Sequence, residues 1–242
     1  MGAMKSWIPT LLPVIAACNS DPAATSEGDA GTGGNDAVTP TSDLVPEFLV
    51  LSDGSGDSIA SARFRVGGPD SSEFYDLSEQ EQLPVTVEKQ SWRLQLSEPH
   101  TYTATCPFDG PDVTFVFGLV NRLPAENAPY STVRPARRIT PALTESAVSR
   151  ASALDFTWQT PVAGDISYSL RGECIAPVDG TTPDDGAHTL AAGQLVEAGS
   201  GGTCIVTLTL QRASVGTLDI RFNPLGTIEA RQVGKAEFTS AP

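Results

Sequence analysis

Beyond residue 46 the chain alternates apolar and polar residues one by one, and this pattern excludes most folds not built from sheets. In SARFRV, Ala62, Phe64 and Val66 alternate with Arg63 and Arg65. In SWRLQL, Trp92, Leu94 and Leu96 alternate with Arg93 and Gln95. In HTYTATC, Tyr102, Ala104 and Cys106 alternate with threonines. Successive side chains of a strand point to opposite faces, so each run predicts a strand with one buried and one wet face. DVTFVFGLV is apolar on both faces, as a central strand would be. DGSGD, GGPD and DGPD separate these runs as turns.

A second series starts near residue 137. LDFTW points Leu154, Phe156 and Trp158 to one side, and DISYSLRGEC, GTCIVTLTLQR, GTLDIRF and GTIEARQVGKAEFTS follow as further strands. No stretch holds a long, capped period of 3.6 residues. Short strands at regular spacing without helices predict an all-β chain of antiparallel sandwiches. RRITPALTESAVSRASALDFTWQTP resembles the opening of an immunoglobulin-like domain. The expected layout is two small immunoglobulin-like β-sandwich domains, 46–136 and 137–242, joined through the proline-rich NRLPAENAPYSTVRPARR. One continuous sandwich is the other arrangement these runs allow.

The amino terminus has a different character. From Ser6 to Ala17 an apolar run follows Lys5 and is interrupted by Pro9 and Pro13. A membrane-spanning helix needs roughly 20 apolar residues, so this run is too short to cross. A basic residue, a short apolar core and small residues at its end are the parts of a secretory signal. Ile15-Ala16-Ala17-Cys18 resembles the lipobox of bacterial lipoproteins. That resemblance implies a signal peptide over 1–17, cleavage between Ala17 and Cys18, and a diacylglycerol on the Cys18 thiol. The competing reading of the same end is the M-G-x-x-x-S myristoylation pattern over Met1–Ser6. An apolar core ending in a lipobox does not suit it.

Residues 18–45 are rich in Gly, Ala, Ser, Thr and Asp, with almost no large apolar side chain. Such a segment buries too little surface to offset its ordering entropy, so a flexible acidic tether is expected there. The whole layout loosely resembles uncharacterised lipoproteins of large myxobacteria-like genomes. That resemblance implies a cell-envelope location, at the outer membrane or cell surface, and a membrane partner through Cys18. The net charge of -14 would repel a polyanion, so nucleic acid is not expected as a partner. An envelope protein or a glycan is the expected ligand class, in a binding, adhesion or structural role. No cofactor is expected.

With Cys18 acylated, Cys106, Cys174 and Cys204 remain. Cys174 has the parity of Ile166, Tyr168 and Leu170; Cys204 has that of Val206, Leu208 and Leu210. Both therefore point into one core, and a Cys174–Cys204 disulfide is expected. It would close a loop of about 30 residues and contribute roughly 3–4 kcal/mol in the chain-entropy treatment. Cys106 is left as a buried thiol. Zinc is disfavoured, because no C-x-x-C occurs and only two histidines are present.

One catalytic constellation requires weighing. Gly56-Asp57-Ser58-Ile59 after an apolar strand, with Asp185-x-x-His188, resembles the two catalytic blocks of GDSL-type esterases. That resemblance implies Ser58 as nucleophile, His188 as base and Asp185 as its orienting carboxylate. The chain departs from the family twice. Its GGND block, 33–36, precedes the serine and falls in the tether, and the helices of a parallel-sheet hydrolase are missing. Asp53–Asp57 resembles the start of a calcium loop, but Ser58 and Phe64 stand where an EF-type loop needs glycine and an acid. A turn rich in Asp and Gly is expected instead.

Overall fold

The computed structural model describes residues 39–199 and 201–242. The signal segment 1–17, the Ala17–Cys18 cleavage pair, the GGND block and residues 18–38 of the tether lie outside the described residues.

In chain order the strands are β1 (Leu44–Ser52), β2 (Ser58–Val66), β3 (Pro84–Val87), β4 (Gln90–Arg93), β5 (Gln95–Glu98), β6 (Thr101–Cys106), β7 (Phe115–Leu119) and β8 (Ala128–Val133). They continue as β9 (Pro141–Leu143), β10 (Ala147–Ser149), β11 (Leu154–Trp158), β12 (Asp165–Arg171), β13 (Val178–Pro183), β14 (Ala187–Leu190), β15 (Cys204–Val215) and β16 (Thr227–Ala241). Two short 3₁₀ turns, Thr41–Asp43 and Pro124–Glu126, are the helical elements among the described residues. The chain is thus all-β and sandwich-like.

One large sheet runs β13-β12-β15-β16-β1-β2-β6-β5, with β10 beside β16. A four-stranded sheet, β4-β3-β7-β8, and a three-stranded sheet, β14-β11-β9, supply the opposing layers. Two apolar cores result. The first gathers Phe48, Phe64, Phe115 and Phe117, with Phe48 stacked on Phe117 at 4.8 Å between ring centres. The second gathers Phe156, Trp158, Ile166, Leu170, Leu208 and Phe238. The alternation explains both: Phe48 and Val50 face inward from β1 while Glu47 and Leu49 face outward.

The two cores share the longest strand, β16. It has 15 residues, and at about 3.3 Å per residue it reaches across both cores. Ile228 and Ala230, from the start of β16, lie in the first core; Phe238, near its end, lies in the second. Phe222, from the connection before β16, also joins the first core. The two halves of the sheet join through a parallel pairing of β1 with β16, from Glu47↔Thr227 to Ser52↔Gln232. At Gly234 the segment leading into β9 crosses the inner face of β16. A side chain there would collide with the Ile139 carbonyl and the Pro141 ring, so the crossing needs glycine.

Three expectations are corrected. SWRLQL is not one strand: Leu94 is buried, but the chain changes sheets there, and Leu96 on edge strand β5 is 61% exposed. Strands that turn a sandwich corner lose their strict alternation at the bend. GTLDIRF is a connection rather than a strand, pinned by the Thr132↔Thr217 bridge and carrying Ile220 outward. The segment expected as a long loop between Cys174 and Cys204 holds β13 and β14. β13 is an edge strand whose Gly180 leaves room for the Tyr168 ring, and its polar composition hid it.

Candidate functional site

Cys174 and Cys204 form a disulfide with Cα atoms 5.8 Å apart. Cys174 lies just past the end of β12, and Cys204 opens β15, its neighbour in the sheet. The buried Arg150 guanidinium lies 3.4 Å from Cys174 Sγ and donates to the carbonyls of Gly201 and Gly202. Cys106 is a buried free thiol, and burial pushes its pKa up to about 11. It is therefore a poor nucleophile.

Ser58, Asp185 and His188 are not brought together. Ser58 opens β2 and is buried, its Oγ 2.5 Å from Ser52 Oγ and donating to the Phe108 carbonyl at 2.6 Å. His188 sits on β14 in the three-stranded sheet, with its ring 5.0 Å from Tyr168 and 5.3 Å from Phe156. Asp185 accepts the Ala187 N–H in a turn. The DGSGD stretch is the β1–β2 turn: Asp53 Oδ1 accepts the Ser55 N–H at 3.0 Å, and Gly54 and Gly56 take left-handed backbone angles. Among the described residues no three His, Cys, Asp or Glu side chains are grouped as metal ligands.

A candidate binding surface is found instead on the outer face of the large sheet, where β16, β1, β2 and β6 run side by side. A cleft of about 320 Å³ lies there, lined by Glu47, Arg63, Thr101, Thr227, Glu229 and Arg231 among others. Glu47 accepts bonds from both Arg63 and Arg65. Burial pushes its pKa up, but the bonds and charges of Arg65 and Arg63 outweigh this and hold it below the usual value. Arg231 pairs with Glu229 at 3.0 Å. The Phe74 ring packs beneath the guanidiniums of Arg65, at 4.8 Å, and Arg63, at 5.3 Å. His100 stacks on the same ring at 4.9 Å and bonds Asp76 through Nδ1 at 2.9 Å. These contacts hold His100 in a left-handed backbone conformation at the β5–β6 turn. Beside the charged cleft, Leu51 and Ile59 face each other across β1 and β2, 37% and 48% exposed.

This surface was legible only in part. Alternation puts Glu47, Arg63 and Arg65 on the wet face of their strands. It cannot put Glu229 and Arg231 next to them, because no local pattern predicts the β1–β16 pairing. Two buried charge clusters were missed altogether. Glu81 and Arg122 pair at 2.8 Å, with the Tyr75 hydroxyl donating to Glu81. Burial, then the Glu81 carboxylate, push Tyr75 up to about 12. Asp184 and Arg212 form the second pair, under β15. Arg212 has the parity of Val206, Leu208 and Leu210, so a cation on a core face was the available clue.

No known protein family and no curated protein matches the chain. Among solved structures it is similar to the FN1–FN3 domains of chicken CNTN1, at 11% identity and a TM-score of 0.30, covering 84% of this chain. The chain spans 66% of that structure's length. It is similar to a two-domain fibronectin type-III segment of chicken tenascin, at 12% identity and a TM-score of 0.24, over 81% of this chain and 99% of that one. It is also similar to trypsin-activated alpha-2-macroglobulin from Escherichia coli, at 14% identity and a TM-score of 0.26, over 86% of this chain and 16% of that one. The class of this protein, an all-β sandwich-like chain, rests on its own strands and cores.

Proposed function

We propose that this protein is a lipid-anchored module of the bacterial cell envelope that binds a protein partner on the outer face of its large sheet. The observation that carries the binding reading is this face itself. Opposed charges of Glu47, Arg63, Glu229 and Arg231 stand beside the partly exposed apolar pair Leu51 and Ile59. Mixed charge beside an apolar strip suits a polypeptide better than a glycan, because a sugar ring is bound mainly by exposed aromatic faces. Phe74 is already occupied by His100 and the arginines.

The test is a photo-crosslinking residue at Ser61, which lines the cleft, introduced in the producing cell. A discrete crosslinked species is expected, and Arg231→Glu should remove most of it by placing like charges beside Glu229. A crosslink pattern unchanged by Arg231→Glu would contradict the assignment.

Anchoring rests on the Ile15-Ala16-Ala17-Cys18 motif. Cys18→Ala is expected to move the protein from the membrane fraction and to leave the leader uncut by the lipoprotein peptidase. Intact mass checks both, and normal processing of the variant would remove the anchor from this reading.

A further inference from the structure

The segment that leads into β1 is held at one end of the body. Arg122, its side chain buried, donates to the Thr39 carbonyl and, at 2.7 Å, to Thr41 Oγ1. Glu126 accepts the Thr41 N–H at 2.6 Å. The Leu44 carbonyl accepts the Asn223 N–H at 3.1 Å. Two connections therefore clasp the segment that leads into β1: the one around Pro124–Glu126 and the one between β15 and β16.

Those same connections carry the largest exposed apolar side chains at that end. Ile220 is 96% exposed, Leu123 66% and Leu225 58%. Tyr130, 71% exposed, joins them, since its N–H donates to Asp219 at the root of the same connection. Val215, 81% exposed, and Ile220 rim an open hollow of about 610 Å³ floored by Phe222 and Ile228. Side chains this large are not left in water by the demands of either core, because Phe222 already fills the inward position.

We propose that this apolar tip docks onto the surface of a phospholipid bilayer with zwitterionic headgroups. The inference rests on the proposed anchor at Cys18. About twenty residues separate Cys18 from Thr39, which at full extension reach at most about 70 Å. The end of the body that receives this segment is the end that the anchor holds within that distance of the membrane. The net charge of -14 argues against anionic lipid, and the local charges of Arg221 and Asp219 are paired with each other. Burying one such side chain in the interface tightens partitioning roughly tenfold. The tip would fix the orientation of the body, with the outer face of the sheet standing across the membrane plane.

The experiment uses the full chain in phosphatidylcholine vesicles, with a polarity-sensitive dye on Ile220→Cys or, as control, on Thr181→Cys. Thr181 lies on β13, at the opposite edge of the large sheet from β5 and four strands from β1. Cys106 is buried and Cys174 is bonded to Cys204, so they do not compete for label. The dye at 220 is expected to shift to the blue and to be quenched by lipids brominated near the headgroup, about fivefold more than at 181. Leu123→Ser with Leu225→Ser should bring that quenching close to the control. Equal quenching at 220 and 181 on a chain whose mass shows acylated Cys18 overturns docking and leaves the anchor. A chain without acyl groups overturns the anchor; docking is then judged by adding Cys18→Ala, Ile220→Cys protein to the same vesicles, with equal signals at 220 and 181 counting against it. A blue shift that depends on protein concentration and not on lipid would mark a second copy of the chain as the occupant and overturn the lipid assignment.

Discussion

Asp184→Ala is expected to lower the unfolding free energy by about 3–5 kcal/mol, the usual cost of removing one partner from a buried ion pair. The Asp184 and Arg212 side chains are 2% and 4% exposed. Arg212 grips the carboxylate through Nε at 2.5 Å and Nη2 at 2.8 Å, and Trp158 Nε1 donates to it at 2.7 Å. Without Asp184 the guanidinium keeps only the carbonyls of Arg137 and Thr160, and the indole N–H is left without this partner. Equilibrium urea unfolding measures the loss. Asp184→Leu combined with Arg212→Met should cost less than Asp184→Ala alone, because no unpaired charge is then buried. A single variant that unfolds at the wild-type midpoint would show that the pair is not held in solution.

The same group sets a pH dependence. Burial pushes the Asp184 carboxyl up, but the bonds from Arg212 and Trp158 and the Arg212 charge outweigh it, so its pKa in the folded state lies below the ordinary value of 3.8. A depressed folded value means that the unfolded chain binds the proton more readily. The stabilisation is therefore complete above about pH 4 to 5, and is lost as pH falls through the folded value. Asp184→Asn should flatten that part of the acid-unfolding profile.

Replacing both Cys174 and Cys204 by alanine is expected to cost about 3–4 kcal/mol for a cross-link spanning a separation of 30 residues. The bond joins the end of β12 to the start of β15, strands that also pair through Arg171↔Thr207. Its loss falls first on the second core. Because β16 contributes to both cores and β15 pairs along its whole length with β16, the effect should be a lower midpoint for one shared transition. Hydrogen exchange read by mass spectrometry distinguishes the outcomes. Loss of protection over β11–β14 with full retention over β1, β2 and β6 would mean that the cores unfold separately, against this expectation.

What could be seen in advance followed from locality. Tyr102 and Cys106 point inward from β6, and Leu154, Phe156 and Trp158 from β11, as alternation requires. The disulfide was legible in part: Cys204 opens β15 with the parity of Val206, Leu208 and Leu210, whereas Cys174 lies in the turn past the end of β12, where alternation no longer applies. Leu96 was misread because a corner after Leu94 is set by the Leu94 N–H bonding to the Leu83 carbonyl, a contact that no hydrophobic pattern encodes. β13 was missed because an edge strand of Val, Asp, Gly and Thr carries little apolar alternation.

The sequence by itself determined the strand-forming body, the inward faces of most strands, the disulfide partners and the expectation of an anchor at Cys18. Each depends on residues close together in the chain or on one face of one strand. Tertiary structure alone decided that β16 lies parallel to β1, that one sheet serves two cores, and that Arg212 meets Asp184 beneath it. Cross-strand partners are selected by burial summed over whole faces, and a residue such as Gln232 acquires its neighbours Ser52 and Arg212 only when that sum is complete.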